Sequence, residues 1–126
     1  MAERPGDVWR RRAEELGDKA SASYLWPESL SADTDAALSE FEAALHVRKS
    51  WADAELLAVV KSLVLTLNKI NDQHVRAGYA GYETEEREHL CDYITAALEE
   101  SGIDVRALEA RNGAEPGDIA GKWRDW

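Results

Sequence analysis

The sequence predicts an all-α fold: a compact bundle of about four main helices around a central helix near residues 54–74, with one or two short C-terminal helices. Apolar residues recur at spacings of three and four, which is the pattern of one helical face. No segment sustains the alternation of apolar and polar residues that is typical of a strand. The 126 residues, 44% of them hydrophobic, suffice for one core, so we expect residues 1–126 to form a single helical domain.

The N-terminal residues predict one helix followed by a connector. Asp7 is expected to cap the helix, and Gly17 leaves its end open. Pro27 excludes the residue before it from the helical region, so SASYLWPES (residues 21–29) is predicted to be a connector. The predicted buried face of this first helix consists of Trp9, Ala13, Leu16 and Ala20.

Two longer helices are predicted next. Ser31 or Asp33 can cap the second helix, which is expected to end near residues 48–49 and to bury Leu38, Phe41 and Leu45. Asp53 precedes the strongest pattern, whose buried stripe is Leu56, Val60, Leu63, Leu67 and Ile70. Leu65 lies opposite that stripe, so it is either covered by another element or exposed, where it could support a homodimer.

The C-terminal third predicts a fourth helix from Thr84 to about Gly102 and a short helix capped by Asp104. A last turn or two could follow Asp118, presenting Ile119, Trp123 and Trp126. We expect the two C-terminal tryptophans to fold back onto the core; the alternative is that they contact another chain, for example in a homodimer.

The charge is unevenly distributed. The chain has 25 acids and 15 bases, a net charge of -10, which argues against nucleic acid or an anionic membrane as the main partner. Residues 81–101 alone hold seven acids and one arginine. Four of these acids share one face of the fourth helix: Glu85, Glu88, Asp92 and Glu99. This face is either an ordinary solvated surface or a docking surface for a basic protein, unless Arg10 to Arg12 neutralise it internally.

The loop before the acidic helix repeats Ala-Gly-Tyr over residues 77–82. One interpretation is a connector in which glycines relieve the turn and the tyrosines cover the edge of the core. The other is a binding loop, since tyrosines beside glycines are typical of recognition surfaces. Tyr79 and Tyr82 are therefore candidate partner-binding residues, together with the helix acids Glu85, Glu88, Asp92 and Glu99.

No catalytic motif or cofactor-binding pattern is present, and we expect no catalytic residue, cofactor or metal. Cys91, the lone cysteine, excludes a disulfide within the chain and is predicted to be an inert buried thiol. A metal-binding alternative uses two pairs at i and i+4, Glu85 with His89 and Glu88 with Asp92. The second and third helices offer no matching inward carboxylates.

The N-terminus lacks the apolar run of a signal peptide, and no stretch reaches the length of a membrane span, so we expect a cytoplasmic location. The predicted function is non-catalytic protein–protein interaction through the acidic helix face. One alternative is an immunity-type or antitoxin-type inhibitor of a basic toxin such as a nuclease; another is a carboxylate/His metal-binding protein or enzyme.

Overall fold

The computed structural model describes residues 3–126, which contain six helices and no strand. The predicted all-helical bundle is confirmed, and four of its helices have at least 12 residues. Residues 74–82, where apolar and polar residues alternate briefly, form the end of a helix and a loop rather than a strand. In chain order the helices are α1 (Pro5–Leu16), α2 (Lys19–Leu25), α3 (Glu28–His46), α4 (Asp53–Arg76), α5 (Thr84–Glu100) and α6 (Val105–Arg111).

The N-terminal prediction of one helix and a connector is wrong. The chain leaves α1 at Gly17, which has a left-handed φ of 75°, and Ala20 therefore belongs to a separate helix, α2. The Asp18 side chain caps α2 by accepting from the backbone N–H groups of Ala20 at 3.1 Å and Ser21 at 3.4 Å. This cap makes residues 19–25 helical, and the connector shrinks to Trp26 and Pro27.

Three predicted caps are also displaced by one to six residues. Pro27 lies at the N-cap of α3, so Ser31 and Asp33 are within the helix. Similarly, α1 begins at Pro5 and holds Asp7 in its first turn, where a carboxylate favours the helix dipole. Asp53 is the first residue of α4 rather than its cap. Proline at or beside a helix start explains two of these shifts, because its φ already suits the helix.

The helices pack in a bundle in which α3 contacts both α1 and α4, while α5 contacts α1 and α6. The apolar stripe predicted for α4 is buried as expected, with Val64 added to it. Opposite that stripe, Leu65 is 49% exposed, so the outer side of α4 is open.

The C-terminal residues 112–126 return to the core through a series of turns, without the helix that was predicted after Asp118. The Asn68 side-chain amide on α4 donates to the Trp123 carbonyl at 2.8 Å. Trp126 packs edge-on against Tyr82, with ring centroids 5.3 Å apart. The tryptophans therefore pack within their own chain, as the sequence favours. Among residues 3–126, no helix has the length and apolar character needed to cross a membrane.

Candidate functional site

The candidate site is the outer side of α5. The Glu83 N–H donates to the Glu86 carboxylate at 3.4 Å, which closes a capping box at the start of this helix. Leu90, Ile94 and Leu98 are fully buried, and this burial sets the rotation of α5 about its axis. The opposite side, with Glu88, Asp92 and Glu99, is consequently exposed, as the periodicity predicts.

The arginine run on α1 neutralises only one acid of α5. Arg12 forms an ion pair with Glu85, and both side chains are about half exposed. The other two arginines pair elsewhere: Arg10 with Asp35 and Glu28, each at 2.9 Å, and Arg11 with Glu3 at 2.6 Å. Internal neutralisation, one of the alternatives raised by the sequence, therefore stops at Glu85.

Three carboxylates remain on the outer side of α5, and we call Glu88, Asp92 and Glu99 the acidic face. Within the part of the chain that the structure describes, no ion pair involves them. Glu88 and Asp92 are four residues apart, and like charges at this spacing destabilise a helix by about 0.2 to 0.5 kcal/mol. Thr95 follows Asp92 by about one helical turn, and its Oγ1 is buried with no hydrogen-bond partner among the described residues.

The carboxylate of Glu42 on α3, in contrast to those of the acidic face, has partners within the chain. It accepts from Arg4 at 2.7 Å and from the Tyr93 hydroxyl. This acid thus serves the packing of α1 and α5 on α3, while the acidic face has no such structural use in residues 3–126.

A shallow cleft of about 270 Å³ borders the acidic face where α5 meets residues 117–124. Cys91 lies in this cleft, and burial raises the pKa of its thiol. The Arg124 guanidinium, 3.6 Å from the sulfur, opposes that rise. The thiol is only partly buried, and its raised pKa makes it a weak nucleophile.

The residues of the metal-binding alternative are not brought together. The His89 Nδ1 accepts a hydrogen bond from the Trp9 indole at 3.2 Å, and Glu85 is paired with Arg12. Across the described residues 3–126, no group of three or more His, Cys, Asp and Glu side chains converges on a common point.

The tyrosine loop contributes less surface than its sequence indicates. Tyr82 is only 6% exposed, and its hydroxyl lies 2.6 Å from the Thr34 Oγ1 in the core. Burial raises the pKa of this phenol. Tyr79 is half-buried, with its ring 6.0 Å from the imidazole of His74 on α4. Tyr82 is thus a core residue rather than an exposed residue available to a partner. Tyr79 packs against α4 rather than beside the acidic face.

The periodicity of α5 was enough to locate the acidic face, but nothing in the local sequence indicated that Arg12 reaches only Glu85. Nor did a local signal mark Thr95, because its missing hydrogen bond depends on the packing around it. Comparison of the chain with family models, with curated proteins and with solved structures finds no match.

Proposed function

We propose that this chain is a non-catalytic protein-interaction domain that binds a basic protein through the acidic face of α5. The observation that carries the proposal is that Glu88, Asp92 and Glu99 are exposed on one helix side and, in residues 3–126, take part in no ion pair. The arginines of α1 could have neutralised these three carboxylates, but they form ion pairs with other acids.

The geometry suits recognition of lysine or arginine side chains on a partner. From residue 88 to residue 99 the helix rises about 16 Å, a span that can meet several basic side chains at once. A regular helix presents these carboxylates without a backbone ordering cost on binding, and complementary charge mainly accelerates association and disfavours wrong partners. A basic toxin such as a nuclease is one partner of suitable charge, and the cytoplasm remains the location expected from the sequence.

The test uses two triple variants with the same change in net charge. Glu88→Lys, Asp92→Lys and Glu99→Lys reverse the acidic face. Glu14→Lys, Glu15→Lys and Glu115→Lys reverse three exposed carboxylates elsewhere and serve as the control. Each protein is used to capture partners from the native host, and the captured basic protein is then purified for kinetic measurements.

We expect the wild type and the control to capture the same partner, with an association rate that falls as salt rises. Reversal of the acidic face is expected to slow association at least about tenfold while the helical circular dichroism is retained. Equal capture by the two triple variants, or association that salt does not affect, would remove the acidic face from the function of this chain.

A further inference from the structure

A second surface lies on the outer side of α3 and α4, away from α5. The two helices are antiparallel, and a hydrogen bond between the Ser29 hydroxyl and the His74 Nε2 at 2.9 Å sets their register. The groove between them has a volume of about 390 Å³ and is lined mainly by small side chains, including Ala37, Ala44, Ala58 and Ser62. In residues 3–126 no helix covers this groove.

Each helix exposes one apolar position at the middle of this surface, flanked by charges. On α3, Asp33, Ala36 and Glu40 are exposed at spacings of three and four, so they share one side. On α4, Lys61, Leu65 and Lys69 are exposed at spacings of four. We call these six residues the α3–α4 face.

The charges of the α3–α4 face sum to zero, and none of them forms an ion pair within the described residues. Two acids lie on α3 and two lysines lie on α4, so the face is neutral on a chain whose net charge is -10. Across residues 3–126 the structure shows no ion pair of Asp33, Glu40, Lys61 or Lys69. Two copies of this acidic chain repel each other at long range, and a neutral face is where close approach meets the least repulsion.

The register places opposite charges at matching levels. Since Ser29 is level with His74, and both helices rise 1.5 Å per residue, Asp33 is level with Lys69 to within about one residue. By the same measure, Glu40 is level with Lys61 to within about two residues. Along the helix axes, Leu65 lies between the Asp33–Lys69 level and the Glu40–Lys61 level, close to the position of Ala36.

We propose that the α3–α4 face is the interface of a homodimer whose two-fold axis runs parallel to these helices. Rotation about that axis lays α3 of one copy antiparallel on α4 of the other at the same level. Asp33 then faces the partner's Lys69, Glu40 faces the partner's Lys61, and Leu65 packs over the small side chain of the partner's Ala36. The contact is isologous, so each charge pair occurs twice.

A second copy is favoured over another occupant because the face is complementary to itself in this arrangement alone. A two-fold axis perpendicular to the helices would lay α3 on α3 and bring the four acids of the two copies together. Like charges in such contact disfavour that pairing.

The experiment is sedimentation velocity of the full chain with two charge-reversed variants. The first carries Asp33→Lys and Glu40→Lys, which leaves only lysines at the four charged positions. The second carries Lys61→Glu and Lys69→Glu, which leaves only acids. A control variant with Lys49→Glu and Lys122→Glu matches the charge of the second at exposed positions outside the face.

We expect the wild type and the control to show concentration-dependent dimers. Each face variant alone is expected to dimerise at least about tenfold more weakly, whereas an equimolar mixture of the two forms a heterodimer, because every pair then joins a lysine to an acid. Heterodimer formation also shows that both variants are folded. The proposal is overturned by a wild type that stays monomeric up to about 0.1 mM. It is equally overturned by dimers that neither variant weakens, or by variants that remain separate after mixing.

Discussion

The Nε1–H of Trp9 on α1 donates a hydrogen bond to the Nδ1 of His89 on α5, at 3.2 Å. Trp9 is 1% exposed, so the bond lies at the edge of the core. Since Nδ1 accepts, the neutral imidazole carries its proton on Nε2. One helical turn before His89, the exposed Arg12–Glu85 ion pair joins the same two helices. A partly buried hydrogen bond and a surface ion pair together hold α5 in the orientation that displays the acidic face.

Replacement of Trp9 by phenylalanine should show how much the Trp9–His89 hydrogen bond contributes to the stability of the fold. Trp9→Phe removes the donor and part of the ring, so we expect the free energy of unfolding to fall by about 1 to 3 kcal/mol in urea denaturation. Trp51→Phe, at a half-buried ring that Arg48 covers from 5.2 Å, is the matched control and should cost less. Equal losses in the two variants would mean that the Trp9–His89 bond adds no stability.

Gly81 is predicted not to tolerate substitution by any residue that has a side chain. Its φ is 74°, and an added Cβ would collide with the Asn71 side-chain oxygen and lie 2.7 Å from Val75. The same Asn71 oxygen accepts the Tyr82 backbone N–H at 2.7 Å, so a collision would also disturb that bond. We expect Gly81→Ala to lower the free energy of unfolding by roughly 3 kcal/mol or more.

Gly113→Ala provides the comparison for this strain. Gly113 has a similar φ of 69°, but an added Cβ there would meet open space. Only the backbone cost of about 1 to 2 kcal/mol is then expected. If chemical denaturation gave the two variants the same stability, the contact with Asn71 would not constrain the loop.

Glu86 should make stability depend on pH in a direction that is unusual for a carboxylate. Glu86 is 3% exposed, and burial raises its pKa above the usual range for glutamate. Its stabilising contribution is therefore complete below the ordinary glutamate pKa and is lost as the pH rises through the raised value. Glu86→Gln keeps an acceptor for Glu83 and is expected to be more stable than the wild type at pH 7, by the order of 1 kcal/mol. The difference should shrink as the pH falls toward 4.

Glu28→Gln is the control, because it is expected to change the stability at pH 7 in the opposite direction. The Arg10 hydrogen bond lowers the pKa of Glu28, so its contribution is present above the ordinary glutamate pKa and lost as the pH falls through the lowered value. This variant is expected to be slightly less stable than the wild type at pH 7. Thermal unfolding between pH 4 and 8 should therefore show the two curves on opposite sides of the wild type, and a Glu86→Gln curve parallel to the wild type would contradict the assignment.

Sequence periodicity predicted the helices α3, α4 and α5 well but missed the short helix α2. The apolar stripes of α3, α4 and α5 repeat over several turns, so the helical pattern is unmistakable. The seven-residue α2 buries only Ala22, and its sequence alternates two alanines with two serines before Tyr24 and Leu25, so it shows no apolar stripe. Its helix depends on the Asp18 cap and on packing against α1. The C-terminal turns were likewise set by packing rather than by a local pattern.

By itself the sequence determined that the protein is helical, which sides of α3, α4 and α5 are buried, and that Glu88, Asp92 and Glu99 point outward, because all three follow from a local period of 3.6 residues. The face predicted for the first helix was wrong beyond Trp9, because Leu16 is 45% exposed. Only the tertiary structure decided that Arg12 pairs with Glu85, that Tyr82 joins Thr34 in the core, and that Ser29 bonds to His74. Each of these relationships joins residues from different elements that are far apart in the sequence. Their geometry depends on how the helices pack, and helical periodicity carries no information about that placement.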